Sequence, residues 1–373
     1  MLPFRFIHSS DLHLGRRFGT LPPEIRGRLV EARHGAIGRL AEAARASGAA
    51  HVVLAGDIFD TATPSGPVLR QAINAMHEAA DVTWWLLPGN HDNLAEAEPL
   101  WEGLVRDAPG NLRPLTGAHP QAMADGVSLL PAPVSHRYPG HDLTAALDGM
   151  QSPEGAIRLG LAHGGVVDFA ETGATIPPDR AARAGLDYLA LGDWHGRLEI
   201  SDRAHYSGSP EQDRFRHDRR GVCLAVTLDG PGALPRVEEV ETGTFLWVDI
   251  ALPLLPDTDP EAALAQALPG ERRRDTLLRV SAEGRARLAG RLALDKAAAE
   301  MAPDFWHFAL DTEALDTEHD AADLDAIDRA GALRLAARAL MDEAGDETRT
   351  AEARAVAQAA LVRLYGYVTE GAA

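Results

Sequence analysis

Five times along this chain an apolar run of strand length stops at a turn that carries aspartate, asparagine or histidine. The runs are Phe4 to Ser9, His51 to Ala55, Val82 to Leu87, Ala156 to Ala162 and Tyr188 to Leu191. The turns that end them are Ser10-Asp11-Leu12-His13, Ala55-Gly56-Asp57, Gly89-Asn90-His91-Asp92, Ala162-His163-Gly164 and Gly192-Asp193-Trp194-His195. Between the first two runs Pro22-Pro23 opens a helix whose apolar positions Ile25, Leu29, Ala32, Ala36, Ile37, Leu40 and Ala44 recur at helical spacing, and Gly48 ends it. A second helix is predicted over Pro67 to Ala80. Strand–helix–strand alternation predicts parallel pairing. The strand ends of a parallel sheet share one edge, where such folds build their sites.

The spacing within the turns adds a second constraint. Side chains two apart in an extended segment point the same way, so Asp11 and His13 can reach one cation together, as can Asp193 and His195. Gly56, Gly89 and Gly192 let the chain turn tightly beside them. Carboxylates, an amide oxygen and imidazoles without a thiolate suit Mn²⁺ or iron better than structural Zn²⁺. Two such ions ~3.5–4 Å apart activate a water and clamp a phosphate. A carboxylate between them, as Asp57 would be, can bridge the pair.

The rest of the chain predicts strands at Val127 to Leu130, His205 to Tyr206 and Val222 to Leu228, with a surface loop over Pro131 to Gly140. From Thr244 a small β-α-β-α-β unit is expected: strands Phe245 to Leu252, Thr276 to Ser281 and Asp304 to Leu310, and helices Pro260 to Leu268 and Gly284 to Glu300. Beyond Leu324 the pattern is Ala/Leu/Arg-rich helix broken at Gly345. At 373 residues the chain exceeds one typical domain. No apolar run reaches the ~18 residues of a membrane span, Met1 to Ser10 lacks a signal-peptide layout, and the single Cys223 excludes an internal disulfide. Together these predict a cytoplasmic protein. The net charge of −19 argues against coating nucleic acid. That charge is uneven: the first 46 residues hold eight arginines and four acids, whereas Asp304 to Asp328 holds nine acids and no Lys or Arg.

The order Asp-x-His, Gly-Asp, Gly-Asn-His-Asp, His, Gly-x-x-His resembles the calcineurin-like metallophosphoesterases. His8-Ser9-Ser10-Asp11-Leu12-His13-Leu14-Gly15, Gly56-Asp57-Ile58-Phe59-Asp60 with Pro64-Ser65, and Tyr206-Ser207-Gly208-Ser209-Pro210 resemble the SbcD-type DNA repair exonucleases within that superfamily. The resemblance covers residues 4–230 and is only architectural over 245–310. It implies an α/β fold: a metallophosphoesterase β-sandwich flanked by helices in four α/β/β/α layers, with a small α+β capping domain and C-terminal helices. The corresponding divisions are 1–240, 241–315, and 316–373, the last an acidic linker with helices. The resemblance further implies two divalent ions, Mn²⁺ before Fe²⁺ or Mg²⁺. Asp11, His13, Asp57 and His195 would hold the first, and Asp57, Asn90, His163 and Asp193 the second. His91 would be the catalytic histidine, with Asp92 orienting it. The family has Gly-His-x-His where this chain has Gly192-Asp193-Trp194-His195, and Asp193 adds a negative charge to the second site.

The implied function is a DNA exo/endonuclease subunit working with an SMC-like coiled-coil ATPase of the SbcC type, with a homodimer as a further possibility. The apolar faces of the C-terminal helices are expected to pack on the chain's own domains by default, docking on the ATPase being the alternative that the resemblance implies. A phosphodiesterase for small nucleotides and a weakly active regulatory subunit are the alternatives. Single residues also have plainer readings. His8, Trp84, Trp85 and Cys223 fit the core, Asp60 fits a turn cap, and Trp194 should point away from its neighbouring donors. Arg16, Arg17, Arg214 and Arg216 fit either phosphate contacts or a solvated surface, and the acidic run fits a solvated face or linker.

Overall fold

The computed structural model describes residues 3–166, 175–217, 219–318 and 331–371. Two compact units divide the chain, Met1–Leu246 and Trp247–Ala373. The 319–328 part of the acidic run lies outside the described residues.

The first unit is a sandwich of two mixed six-stranded sheets. In chain order its strands are β1 (Phe4–Ser9), β2 (His51–Leu54), β3 (Thr83–Leu86), β4 (Leu112–Pro114), β5 (Gln121–Ala124), β6 (Val127–Ala132), β7 (Ile157–His163), β8 (Tyr188–Gly192), β9 (Leu198–Ser201), β10 (Ala204–Tyr206), β11 (Val222–Leu228) and β12 (Arg236–Glu241). One sheet runs β12-β11-β1-β2-β3-β4 and the other β5-β6-β7-β8-β10-β9. β1 to β4 pair in parallel, as do β6, β7, β8 and β10, while β11, β12, β5 and β9 pair antiparallel. The sheets face each other through Phe6, Val53, Trp85, Leu129, Leu159, Tyr188 and Leu224. Period-two alternation sends β6's Val127 and Leu129 to this layer and Leu130 and Ala132 to the opposite face.

Helices α1 (Pro23–Ser47), α2 (Gly66–Glu78) and α3 (Glu98–Asp107) cover the first sheet's outer face. α1 buries the predicted stripe from Ile25 to Ala44, and its left-handed cap at Gly48 returns an N–H to Ala44 and Arg45. The outer face of the second sheet is covered more thinly, by a 3₁₀ turn at Leu143–Gly149 and the short α4 (Arg180–Arg183). The predicted surface loop from Pro131 is partly wrong: Pro131 and Ala132 continue β6, and Val134 is buried, because they pack over that layer.

The core readings hold. Trp84, Trp85 and Cys223 are buried. His8 is fully buried between the Tyr188 hydroxyl (3.0 Å) and the Leu191 carbonyl (3.1 Å), and burial followed by His205 pushes its pKa down to about 3.

The second unit is built on β13 (Leu246–Leu254), β14 (Thr276–Arg287), β15 (His307–Asp311) and β16 (Leu315–Glu318), with α5 (Pro260–Ala267) and α6 (Leu288–Met301). β14 is the central strand. The helix expected from Gly284 starts four residues later, because Gly284 to Arg287 extend β14 and pair with Leu315 to Glu318. A side chain at Gly284, which has φ +99°, would meet the Leu254 carbonyl. Helices α7 (Ala332–Gly345) and α8 (Ala351–Gly371) follow, and Ala337, Leu361 and Val362 pack on Leu288 of α6.

Candidate metal centre

The five donor-bearing turns meet at one end of the sandwich, but they come from both sheets. β1, β2 and β3 deliver Asp11, His13, Asp57, Asn90 and His91, while β7 and β8 deliver His163, Asp193 and His195. The single edge predicted from sequence is therefore two edges facing each other. Nor do the side chains converge by extended alternation. Asp11, His13, Asp57 and Asp193 have φ of 55°, 42°, 52° and 107°. Such a backbone costs a non-glycine residue roughly 1–3 kcal/mol and persists only where its surroundings fix it. Here the amides of Asp11, His13 and Leu14 donate to the carbonyls of Gly56, Asp57 and Ile58 at 3.1, 2.9 and 2.9 Å. From α1 the buried Arg33 reaches the Leu12 carbonyl (2.6 Å) and that of Glu211 (2.9 Å). Glycine serves close approach as much as turning: a Cβ on Gly192 would lie 1.9 Å from the Ala55 oxygen, and one on Gly56 2.3 Å from His163 Nδ1.

Two groups of donors form around Asp57. On one side His13 Nε2 lies 3.3 Å from His195 Nε2 and 3.6 Å from Asp57 Oδ2, and His195 Nε2 lies 3.9 Å from Asp11 Oδ1. On the other, His163 Nε2 lies 2.8 Å from Asn90 Oδ1, 3.6 Å from Asp57 Oδ1 and 3.8 Å from Asp193 Oδ1. The outer nitrogens face other groups: His163 Nδ1 the Ala55 carbonyl at 2.8 Å, His195 Nδ1 both Asp213 at 3.2 Å and Arg214 Nη2 at 3.0 Å, and His13 Nδ1 the Asp60 carboxylate at 3.3 Å.

The inner nitrogens of His13 and His195 face each other, and that of His163 faces three oxygens. Arg214 Nη2 already brings positive charge to within 3.0 Å of His195 Nε2. The spacings suit neighbouring donors of a six-coordinate ion, about 3 Å apart for bonds of ~2.1 Å. The residues fit divalent cations. The local field agrees. Burial disfavours charge on His163, yet Asp57, Asp11 and Asp193 push its pKa up to about 9. Burial would raise Asp11, but His195, His163 and His13 hold it below the usual carboxylate range. Asp193 is raised, chiefly by burial.

His91 borders the cluster. Its amide donates to Asp57 Oδ1 (2.9 Å), its Nδ1 meets the Asp60 carbonyl (3.0 Å), and its ring stands edge-on to His13 with centroids 4.8 Å apart. Asp92 does not orient it, contrary to expectation. The Asp92 carboxylate turns inward and accepts the amides of Ile58 (2.9 Å), Phe59 (3.0 Å) and Gly89 (2.7 Å), tying the β2 turn to the β3 turn. Burial, then Asp57, pushes its pKa up to about 7 against the amides of Phe59 and Gly89. Asp60 faces His13 rather than only closing a turn. Asp213 carried no pattern that marked it, yet burial notwithstanding, His195, Arg33 and Arg16 hold it well below the usual carboxylate range.

A hollow of about 180 Å³ opens over the donors, lined by His91, Trp194, Arg214 and Arg216 among others. Beside it lies one of about 290 Å³ that Asn90, Tyr138, His163, Asp193 and Trp194 help to line. Trp194 therefore borders both hollows instead of pointing away from the site, and the Arg216 guanidinium lies 4.6 Å from its ring centroid.

Residues 4–227 match the calcineurin-like phosphoesterase family, and the chain belongs to it. Its clustered Asp and His side chains are donor types that suit divalent ions. It is 26% identical over 226 residues to the uncharacterized metallophosphoesterase YhaO of Bacillus subtilis (strain 168), a match over 57% of this chain and 53% of that one. The chain thus spans about half the length of this curated relative. Among solved structures it is similar to TT1561 of Thermus thermophilus (TM-score 0.41, 10% identity, 64% of this chain and 99% of that one). It is also similar to a dimetal phosphatase from Danio rerio (TM-score 0.35, 13% identity, 63% and 98%). No helix among the described residues is long and apolar enough to cross a membrane.

Proposed function

We propose that this phosphoesterase is a two-metal phosphodiesterase that cleaves DNA. Asp11, His13, Asp57 and His195 would hold one ion and Asp57, Asn90, His163 and Asp193 the other, with Mn²⁺ the expected metal and Fe²⁺ or Mg²⁺ substituting. The observation that carries the reading is the pair of donor groups joined through one carboxylate, Asp57, with His91 at their border. When bound, the ions would activate a water and neutralise phosphate charge. His91, whose Nδ1–H donates to the Asp60 carbonyl, would present Nε2 to the phosphate and assist proton transfer at the departing oxygen. Arg214 and Arg216 would contact the flanking phosphates, and Trp194 offers an aromatic face beside the scissile bond. The nuclease-like spelling of the motifs favours DNA. The adjoining hollow of about 290 Å³ favours the second reading, a phosphodiesterase for small nucleotides.

An SMC-like coiled-coil ATPase is the proposed partner. Leu333 and Leu335 of α7 and Val356 and Tyr367 of α8 are its proposed contacts, being apolar and exposed.

The test is Mn²⁺-dependent hydrolysis of linear DNA beside cyclic nucleotides and bis-p-nitrophenyl phosphate, with His91→Ala and Asp57→Ala as controls. DNA cleavage lost in both variants supports the reading. Turnover of the small diesters with no DNA cleavage in Mn²⁺, Fe²⁺, Co²⁺ or Mg²⁺ overturns it in favour of the second.

A further inference from the structure

Three imidazoles border the donor cluster, and their outer nitrogens all reach one small network. Asp60 Oδ1 lies 3.3 Å from His13 Nδ1, the Asp60 carbonyl 3.0 Å from His91 Nδ1, and Asp213 Oδ1 3.2 Å from His195 Nδ1. One guanidinium joins the two aspartates: Arg16 Nη1 is 3.5 Å from Asp60 Oδ1 and 3.1 Å from Asp213 Oδ2. Asp213 is buried, and Arg214 (3.1 Å) and Arg33 (4.0 Å) also reach it. The backbone braces the same unit, with the Arg16 amide donating to the His13 carbonyl (3.2 Å) and the Asp60 amide to that of Leu14 (3.0 Å).

We propose that Arg16, Asp60 and Asp213 form a positioning bracket: the two carboxylates set the ring orientation and tautomer of His13 and His195, and the Asp60 carbonyl orients His91. The inference rests on the donor assignment made above. Carboxylates that accept from the outer nitrogen fix which nitrogen a histidine offers its metal, and make it a stronger donor. Left without a counter-charge, a carboxylate this close to a cation can swing inward and ligate it. Asp60 has the reach, since its oxygen, His13 and His91 already group within 4.8 Å. Arg16 holds both carboxylates outward and balances their charge. It touches none of the donors with its side chain, so its role is positional.

Two-site Mn²⁺ titration by calorimetry, with metal content and the electron paramagnetic resonance spectrum of bound Mn²⁺, tests this on wild type, Arg16→Ala and the isosteric Asp213→Asn. The expected result is that one of two ions binds about 10–100-fold more weakly in each variant, with an altered spectrum. The other ion's affinity should hold, and kcat should recover at saturating Mn²⁺ while the Mn²⁺ requirement rises. Unchanged affinities and spectrum in both variants overturn the bracket alone. So does equal weakening of both sites with a lower metal-free melting temperature, the mark of a merely structural role. A wild type that binds no pair of ions overturns the donor assignment, and the bracket with it.

Discussion

His91 and Asp92 are neighbours in one turn, yet their substitution should fail in opposite ways. Asp92→Ala strips the acceptor from three amides, those of Ile58, Phe59 and Gly89, at a residue with no solvent exposure. An orphaned buried donor costs about 1–3 kcal/mol, so the sum is roughly 3–9 kcal/mol before relaxation. Relief of a buried charge beside Asp57 offsets part of it, leaving about 3 kcal/mol or more, a large share of the ~5–15 kcal/mol that holds a domain. Asp92→Asn keeps one accepting oxygen and should fall between. His91→Ala loses one side-chain hydrogen bond, to the Asp60 carbonyl, and an edge-on ring contact with His13, and should cost about 1 kcal/mol, while lowering kcat by about 10²–10⁴-fold as general acid–base losses do. Urea unfolding with EDTA present, followed by fluorescence of the buried Trp84, Trp85 and Trp101, reads stability without metal linkage. Mn²⁺-dependent turnover reads the chemistry. If Asp92→Ala unfolds at the wild-type urea concentration yet shares the kinetic loss of His91→Ala, the anchoring role assigned to Asp92 is wrong.

Removing metal should lower stability by mass action. Saturating Mn²⁺ at about 100 times its Kd contributes ~2.7 kcal/mol for one site, which calorimetry should read as a fall of about 5–10 °C on adding EDTA. Gly192→Ala should destabilise by about 1–3 kcal/mol through overpacking and weaken the ion at His163, because its Cβ collides with the carbonyl that holds His163 Nδ1; wild-type Mn²⁺ stoichiometry and melting would contradict this. His8 predicts an acid-side loss. Above its ordinary 6.5 the imidazole is neutral folded and unfolded, but below that the unfolded chain takes a proton that the folded one refuses until about pH 3. Falling from about pH 7.5 to about pH 5 should therefore cost about 2 kcal/mol, and His8→Asn should flatten that slope in urea titrations.

The order of elements was legible because burial leaves local marks. α1 shows its stripe from Ile25 to Ala44 and its Gly48 stop, and Val52 to Leu54 of β2 is a continuous apolar run that fits a strand covered on both faces. Short or half-exposed pieces leave weaker marks. β12 alternates with glutamates on an edge, β9 is bent by a register shift beside β10, and both pass as loops in a sequence. At Gly284 the chain reads as a helix start, but pairing with β16 extends β14, a tertiary preference that overrides the local one.

The donors announce themselves for a different reason than the residues that hold them. A cation demands Asp, Asn and His at chain turns, and those types in five post-strand turns are improbable by accident. Holding a histidine's outer nitrogen demands only an oxygen at the right distance, and the chain supplies it from wherever it passes. A carbonyl serves at Ala55 and Asp60, and a carboxylate from eighteen residues downstream serves at Asp213. The same holds for Arg33, which sits on the helical face of α1 yet fixes a carbonyl of the β1 turn. Neither its type nor its period distinguishes it from Arg28, which pairs on the surface with Glu31. The two-residue spacing of Asp11 and His13 pointed to the right cluster through the wrong geometry, since both residues adopt left-handed backbone. What decides them is the β2 turn, whose Gly56 and Asp57 carbonyls receive their amides. A ligand set can be read along the chain, whereas the strain and the outer contacts that aim it belong to the packing of one turn on another.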